Sequence, residues 1–328
     1  MKAIRAAILS VLAILSLLAC VGAAAAQSAY PQQTVRILVG FSAGTAPDIV
    51  SRLLAERFAA SWGRPVVVEG VTGAGGNLAC DRVAHAAPDG YLLVMCGNGS
   101  LTIAPSLYEK LSYDPVKDLK PITRVFVAAN ILAVHPDVPA KTLPELVALA
   151  RAQPGKLTYG HAGIGTSQHL AAELFKYMAH LDIAPVAYRG TTAVLPDLLA
   201  GRLTLSFANV ANVLPLVREG KLRGFAVSSL KRSGAAPELP TMVEMGYPGF
   251  EAVPWFGLMA PAGTPADVTD RIYAETTKVL GEPEVRKKLE ALGLDLIVGT
   301  PAEFADTITS ETPQWAKLIK AAGIKAIE

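Results

Sequence analysis

The pattern of apolar and polar positions divides the chain into short strands, each followed by an amphipathic helix. Val35, Ile37 and Val39 form a β-branched run that is typical of a buried strand. A loop of small residues follows at 42–46, and the apolar positions between Ile49 and Phe58 recur with helical spacing. A helix that begins after such a loop presents unpaired N–H groups at the positive end of its dipole. The pattern therefore predicts an anion site at this loop.

The same strand–loop–helix unit occurs twice more. One strand at 157–159 leads into a glycine-rich loop at 160–166, and another at 184–188 leads into a loop at 189–192. The long apolar run 125–134 predicts a strand that crosses between two domains. Further strands are predicted at 65–69, 91–95, 203–207, 222–228 and 255–259. This alternation of strands and helices favours an α/β fold.

The first 26 residues are predicted to be a secretory signal peptide. Basic residues precede an unbroken apolar stretch at 6–18, and Ala24, Ala25 and Ala26 offer a cleavage site of small residues. An alternative interpretation takes residues 17–20 as a lipoprotein box with Cys20 lipidated. Cleavage after Ala26 is favoured, since secreted proteins prefer that pattern. The expected location is the periplasm.

Composition excludes several classes of function. The chain is 51% hydrophobic and 18% charged, which favours large cores over disorder. Of 30 basic residues, Lys2 and Arg5 lie in the predicted signal peptide, so the mature chain carries 28 basic and 28 acidic residues. Such a balance argues against nucleic-acid binding and against electrostatic docking to a membrane. The sequence shows no cluster with metal-ligand spacing, and no cofactor is expected.

Two cysteines remain in the predicted mature chain. Cys80 lies on a predicted helix and Cys96 on the strand that follows it. In an oxidising compartment they could form a disulfide, which requires Cα atoms within about 7 Å. They could equally be two small buried hydrophobic residues. Both interpretations stay open on the sequence alone.

Nine motifs follow one another along almost the whole mature chain, at 35–48, 73–76, 87–91, 113–115, 139–146, 154–160, 169–175, 220–223 and 255–265. In this order they resemble the solute receptors of the tripartite tricarboxylate transporters, the Bug group of periplasmic binding proteins. The resemblance implies a type II-like, two-lobed α/β fold. Each lobe would be a mainly parallel sheet flanked by helices, and crossing strands would join the lobes.

The resemblance also implies how the chain is divided and what it does. Lobe 1 is expected to comprise 27–127 and 233–328, and lobe 2 to comprise 128–232, with each boundary good to about ten residues. The expected function is an extracytoplasmic receptor that closes on a small carboxylate for uptake or sensing. It would be a monomer without enzymatic activity, working with a membrane permease or a sensor.

Departures from the family's pattern bear on the ligand. The family usually has proline, glycine, serine and lysine where this chain has Ser42, Thr45, His161 and Arg189, and aspartate in the strand that carries Thr204 and Ala208. An ammonium group needs a carboxylate partner. The absence of the family's aspartate from this strand therefore argues against an amino-acid ligand. We expect a di- or tricarboxylate or an aromatic acid.

The predicted ligand-binding residues lie mainly in the three anion loops. His161 is expected to donate to the anion, although a structural role is the open alternative. His169 is expected to support the loop, and Asp48 is expected to cap its helix. Phe41 and Tyr188 could line the cleft or pack in a core. The full predicted set is Phe41, Ser42, Ala43, Gly44, Thr45, Asp48, Asn98, His161, Ala162, Gly163, Gly165, Thr166, His169, Tyr188, Arg189, Gly190 and Asn209.

An alternative function is a secreted serine hydrolase, because residues 40–44 read G-x-S-x-G between a strand and a helix. That motif needs a downstream acid and a late histidine, yet the last histidine is His180. No HGG-type oxyanion loop precedes Ser42 either. The glycine run 73–76 lacks the spacing of a dinucleotide loop, so it predicts a tight entry into a helix.

Overall fold

Two β-sheets organise the computed structural model, which describes residues 30–321 and 323–324. The predicted signal peptide and Cys20 lie outside the described residues. All the elements given below belong to one unit of the chain that begins at Thr34. None of the described helices is both long and apolar enough to cross a membrane.

The described residues form eleven strands. In chain order they are β1 (Val35–Val39), β2 (Val66–Gly70), β3 (Leu92–Gly97), β4 (Leu119–Ala128), β5 (Asn130–Val134), β6 (Thr158–His161), β7 (Ala184–Ala187), β8 (Leu205–Asn209), β9 (Arg223–Val227), β10 (Trp255–Pro261) and β11 (Leu294–Leu296).

Ten α-helices connect and flank these strands in the same part of the chain. They are α1 (Ala46–Trp62), α2 (Asn77–Ala84), α3 (Ala104–Leu107), α4 (Leu143–Ala152), α5 (Ser167–Ala179), α6 (Thr191–Leu199), α7 (Val210–Arg218), α8 (Ala266–Gly281), α9 (Pro283–Ala291) and α10 (Pro301–Ala321). A 3₁₀ turn at Ala74–Gly76 precedes α2, and a π-helical segment at Gly99–Ile103 leads into α3.

The first sheet has six strands in the order β11-β4-β10-β3-β1-β2. Strands β2, β1 and β3 run parallel, so that Ile37 lies between Val68 and Leu93. Strand β10 pairs antiparallel with both β3 and β4, and β11 pairs antiparallel with β4. Strands β10 and β11 therefore make this sheet mixed, whereas β1, β2, β3 and β4 run in one direction.

The second sheet has five strands in the order β7-β6-β8-β5-β9. Strand β6 is parallel to β7 and β8, whereas β5 is antiparallel to β8 and β9, so this sheet is mixed as well. Only Ala129 separates β4 of the first sheet from β5 of the second. The predicted two-lobed α/β fold and the crossing strand at 125–134 are confirmed. Below, the first lobe is the six-stranded sheet with its helices and the second lobe is the five-stranded one.

The second connection between the sheets runs from residue 228 to residue 254. Its apolar side chains at Met242, Phe250 and Ala252 are buried in the same core cluster as Leu132 and Phe207 of the second sheet. Burial of these side chains offsets the conformational entropy of ordering a long segment without regular structure. This part of the chain is therefore packed against the second lobe.

A disulfide joins Cys80 on α2 to Cys96 on β3, with the two Cα atoms 6.4 Å apart. Each cysteine is 1% exposed. The bond confirms the paired alternative of the two that the sequence left open. It fixes the helix that follows the glycine run 73–76 against the strand that ends at Gly97.

Candidate functional site

Parallel strands of the two sheets point their carboxyl ends at a common inner cavity. Strands β1 and β3 of the first lobe and β6 and β8 of the second end beside it, which is where ligands bind in α/β sheets. Its volume is about 20 Å³, enough for one water-sized group. The lining residues are Phe41, Thr45, Pro47, Gly75, Gly97, Asn98, Gly99, Thr166, Ser167, Gln168, Asn209, Pro254 and Phe256.

Four of these lining residues are the N-caps of helical segments. Thr45 precedes α1, Thr166 precedes α5 and Asn209 precedes α7, while Asn98 precedes the π-helical segment. The first N–H groups of a helix have no partner within it, and they form the positive end of the helix dipole. Four such ends, two from each lobe, therefore converge on one cavity.

Acidic side chains do not neutralise these helix starts. Among the described residues that line the inner cavity, none carries a charge. Of the four segments, only α1 has an acid in its first turn, which is Asp48. Its carboxylate accepts the Gly44 N–H at 2.9 Å and pairs with Arg52 at 3.0 Å. The described lining is consequently neutral in formal charge, and the helix N-termini contribute partial positive charge.

Hydroxyl groups fix the loops that precede α1 and α5. The Thr45 hydroxyl donates to the Ser42 carbonyl at 2.6 Å, and the Thr166 hydroxyl donates to the Gly163 carbonyl at 2.7 Å. The Thr166 oxygen also accepts the His169 N–H at 3.4 Å, as an N-cap side chain does. Each loop is therefore shaped by its own side chains.

Two buried imidazoles lie beneath the loop of the second lobe. The His161 and His169 rings are 4.6 Å apart between centroids, and the residues are 2% and 6% exposed. The Nδ1 atom of His161 accepts the Gly163 N–H, and that of His169 accepts the Gly165 N–H, both at 3.3 Å. A ring nitrogen that accepts must be unprotonated, so both imidazoles are neutral with Nε2 protonated.

Burial keeps the two histidines neutral. It lowers the pKa of His161, and it lowers the pKa of His169 to about 3, with a smaller contribution from His161 beside it and from Lys176. Behind them the Tyr159 hydroxyl donates to Glu173 at 2.5 Å, and Lys176 pairs with the same carboxylate at 2.7 Å. The Glu173 carboxylate raises the pKa of His161, but by less than burial lowers it.

An outer cavity of about 520 Å³ adjoins the inner one. The two share Phe41 and Gly75 in their walls. Arg189 is the one charged residue among the described residues that line the outer cavity. The full lining is Gly40, Phe41, Ser42, Thr72, Gly73, Ala74, Gly75, Tyr108, Ala162, Gly163, Ile164, Tyr188, Arg189 and Gly190.

The structure brings together most of the residues that the sequence predicted for the site. Those at the inner cavity are Phe41, Thr45, Asn98, Thr166 and Asn209. Those at the outer cavity are Ser42, Ala162, Gly163, Tyr188, Arg189 and Gly190, with Phe41 again. Six line neither cavity, namely Ala43, Gly44, Asp48, Gly165, His161 and His169.

Several loop amides that the sequence offered to an anion already have acceptors within the chain. Gly44 N–H donates to Asp48, and Gly163 and Gly165 donate to the two histidines. Gly190 N–H donates to the carbonyl of Ala162 at 3.1 Å. The unpaired donors at the cavity are therefore first-turn amides such as that of Ser167, which a helix leaves without an internal partner.

Sequence reasoning missed residues in both cavities. Ser167 and Gln168 directly follow the predicted loop 160–166, so their place in the first turn of α5 was a usable signal. Phe256 stacks on Phe126 at a centroid distance of 4.9 Å and meets Phe41 edge-on at 5.3 Å. Tyr108 follows the short helix α3 and lines the outer cavity from there. Nothing in the local sequence pointed to this position.

The geometry around Ser42 gives no support to the hydrolase alternative. Among the described residues, no histidine or carboxylate hydrogen-bonds its hydroxyl. The two histidines of the second lobe are buried and accept glycine amides instead. The hydroxyl faces Gly190 of the opposite lobe, where an added methyl carbon would overlap it.

These features define a two-lobed α/β binding protein whose cleft is lined by both sheets. The sequence model of the tripartite tricarboxylate transporter family receptor, TctC, matches residues 50–324, and the chain belongs to this family. The family consists of periplasmic solute-binding receptors. The resemblance that the sequence motifs suggested is confirmed, and so is the expectation of a solute receptor.

Known relatives cover nearly the whole chain. Protein BugT of Bordetella pertussis is 32% identical over 319 residues, which is 97% of this chain and 98% of BugT. An adipate-bound protein of R. palustris has a TM-score of 0.86 at 32% identity, covering 91% of this chain and 100% of that one. MatC from Rhodopseudomonas palustris with bound malate has a TM-score of 0.83 at 32% identity, covering 88% of this chain and 100% of its own.

Proposed function

We propose that this receptor captures a small carboxylate that carries no ammonium group, and that it holds the acid between its two lobes. The observation that carries the proposal is the convergence of four helix N-termini on a cavity whose described lining has no charged side chain. Aligned N–H groups favour an anion there. The adipate- and malate-bound relatives support the same class of ligand.

A carboxylate, rather than an amino acid, fits the absence of acids from this lining. An ammonium group removed from water needs a negative partner, and its burial without one is costly. In the strand that leads to Asn209, this chain has Ala208, which is 1% exposed. A ligand with negative groups alone therefore suits the site better.

The mechanism of closure is the binding of one ligand by both lobes at once. A ligand whose oxygens accept N–H bonds from α1 and from α5 gains free energy only when the two lobes are close together. Its differential affinity for the closed arrangement then shifts the population toward closure. A closed receptor presents a surface that a membrane permease or a sensor can distinguish from the open one.

The first experiment is calorimetric titration of residues 27–328 with adipate, malate, benzoate, citrate, aspartate and glutamate. At least one acid without an ammonium group is expected to bind more tightly than either amino acid, and it should raise the Tm by mass action. Ester hydrolysis should be absent, both in the wild type and after Ser42→Ala. Tightest binding to an amino acid, or binding of none of the acids, would overturn the proposal.

Aspartate substitutions at the helix N-caps give a more specific test of the site. Thr166→Asp and Thr45→Asp keep a good N-cap residue but add a negative charge to the inner cavity. Each is expected to lower the affinity for the best acid by roughly 100-fold, which is about 2.7 kcal/mol. Thr142→Asp at the cap of α4 is the matched control, because that cap lines neither cavity. Unchanged affinity in Thr166→Asp would contradict the site.

We also propose the division of the chain and its cellular setting. The packing of Met242, Phe250 and Ala252 favours an end of the second lobe near residue 252, later than the residue 232 expected from the sequence. The protein is proposed to be a monomeric periplasmic receptor without enzymatic activity, cleaved after Ala26. The intact mass of the exported protein tests the cleavage, since lipidation at Cys20 would give a heavier, membrane-bound form.

A further inference from the structure

A small apolar cluster joins the two lobes outside both cavities. Its buried members are Ile103 and Leu107 of the first lobe, Leu170 on α5 of the second lobe, and Ile319 near the end of α10. The first three are 0% exposed and Ile319 is 6% exposed. None of the four lines the inner or the outer cavity. These four residues are called the clasp below.

Two elements of the clasp begin at the inner cavity. Helix α5 follows its cap Thr166, which lines that cavity, and Leu170 lies four residues further on, about one turn of helix. The π-helical segment follows Asn98, which also lines the inner cavity, and Ile103 is its last residue. A movement that brings these two helix starts to a shared anion therefore also brings Leu170 against Ile103.

Helix α10 contacts both lobes. Its side chains Phe304 and Ile308 are buried in a core cluster of the first lobe. In its last turn, Leu318 packs against the core cluster of the second lobe and Ile319 belongs to the clasp. The helix is thus anchored in the first lobe and adds a contact between the lobes to the two chain crossings.

The two lobes approach each other closely beside the clasp. A carbon added to Gly165 would lie 2.8 Å from Cδ2 of Leu107, and one added to Gly99 would lie 3.1 Å from the Gly165 carbonyl oxygen. Leu170 is clustered with residues of the first lobe and of α10, whereas Leu174, one turn later, belongs to the core cluster of its own lobe. Separation of the lobes would therefore expose Leu170 and leave Leu174 buried.

We propose that Leu170 determines the affinity for the ligand from outside the ligand cavity, because the clasp stabilises the closed arrangement of the lobes. Apolar surface that is buried only on closure raises the closed fraction, and the apparent affinity rises with that fraction. This inference rests on the proposed function, since the affinity concerned is that for the carboxylate. It predicts that loss of the clasp weakens every acid by the same factor.

The test is calorimetric titration of Leu170→Ala with the acids that bind the wild type. Each affinity is expected to fall by about tenfold, with the ranking of the acids unchanged. The heat-capacity change of binding should become less negative, because less apolar surface is buried on closure. Leu174→Ala is the matched control on the same helix. It should lower the Tm but change the affinities by less than about twofold.

Two further measurements examine the clasp itself. Ile319→Ala should cause a similar loss of affinity from the side of α10. The double variant Leu170→Ala/Ile319→Ala should lose less than the product of the two single losses, because both side chains belong to one contact. In X-ray scattering without ligand, Leu170→Ala should have a larger radius of gyration than the wild type and Leu174→Ala, since the clasp favours closure with or without a ligand.

The outcomes separate the clasp from the proposed function. Equal weakening in Leu170→Ala and Leu174→Ala, a changed ranking of the acids, or an unchanged radius of gyration would overturn the clasp while carboxylate capture stands. If none of the acids binds the wild type, the proposed function fails, and the scattering comparison alone then decides whether the clasp holds the lobes together.

Discussion

The two lobes brace their cleft loops with different kinds of acceptor. In the first lobe the Asp48 carboxylate accepts the Gly44 N–H, and Arg52, which is 57% exposed at its side chain, neutralises that charge. In the second lobe, two buried neutral imidazoles, His161 and His169, accept the glycine amides. The first lobe is braced by an ion pair near solvent, and the second by two buried imidazole rings that are tilted by 40°.

This difference teaches where the donors for a ligand come from. Both loops use their glycine amides internally, so each loop has its shape before a ligand arrives. What remains for an anion is the few first-turn amides that the loops do not use, such as that of Ser167, since the His169 N–H donates to Thr166 and Pro47 has no N–H. These amides are preorganised because the loops are held in shape. The braces differ in what disturbs them, because salt screens an exposed ion pair whereas acid protonates an imidazole.

The largest expected effect concerns a covalent brace of the first lobe. The Cys80–Cys96 disulfide closes a loop with a sequence separation of 16. Reduction is expected to lower the free energy of unfolding by about 3 kcal/mol, chiefly because the unfolded chain gains entropy. Urea unfolding with and without tris(2-carboxyethyl)phosphine measures this effect.

The double variant Cys80→Ala/Cys96→Ala is the control, and it should not respond to the reductant. Hydrogen exchange locates the effect. After reduction, exchange should accelerate around residues 73–76 and 97–99 of the first lobe and stay unchanged around 161–169. Equal acceleration in both regions would show that the disulfide of the first lobe and the histidine pair of the second lobe do not act independently.

The sequence predicted the strands and helices because they depend on local patterns. Thr45 and Thr166 were recognisable as hydroxyl residues before amphipathic helices, and helix starts explain why they line the cavity. The order of the sheet was not recognisable, since β10 enters the first sheet from more than 100 residues away. The antiparallel strands that make both sheets mixed were not predicted for that reason.

The partners of the loop amides were equally hidden in the sequence. That Gly163 and Gly165 donate to His161 and His169 depends on ring orientation, which is set by packing against Tyr159 at 5.6 and 6.5 Å between centroids. Pro196 offers a second example. The loop predicted at 189–192 ends earlier, because α6 begins at Thr191 after Gly190, which places the proline inside the helix.

The next effect in size is acid sensitivity of the second loop. The folded pKa of His169, at about 3, lies below its ordinary value of 6.5, so the unfolded chain takes up this proton first. The stabilising contribution is complete above pH 6.5 and is lost progressively as the pH falls toward 3. Between pH 7 and pH 5 this one group is expected to cost roughly 2 kcal/mol of the free energy of unfolding.

The variant His169→Asn isolates this term. Its amide oxygen can accept the Gly165 N–H near the position of Nδ1, but it does not titrate. Urea unfolding at pH 7 and pH 5 should show a smaller acid loss than the wild type by roughly 2 kcal/mol. His85→Asn, at a side chain that is 62% exposed, should keep the wild-type loss. An unaltered loss in His169→Asn would contradict the neutral-imidazole brace.

The smallest expected effect tests the contact between the two lobes. Gly190 has a φ of 101°, and a Cβ atom built there would overlap the Ser42 hydroxyl of the first lobe while lying 3.5 Å from the Ser42 Cβ. Gly190→Ala should therefore hinder closure and weaken the best acid of the panel by about tenfold, or 1.4 kcal/mol. A φ of 101° with a ψ of 161° is a region essentially restricted to glycine, so the alanine should also lower the free energy of unfolding, on the order of 1–3 kcal/mol.

The second variant, Gly190→Ala/Ser42→Ala, separates these two consequences. Removing the hydroxyl leaves an ordinary van der Waals contact, so most of the lost affinity should return. The loss of stability should persist, because backbone strain at position 190 is unaffected by the side chain at 42. Ser42→Ala alone measures any direct contribution of the hydroxyl to binding. If the double variant binds no better than Gly190→Ala, the weakening arises from strain within the second loop, and the lobes do not meet at this pair.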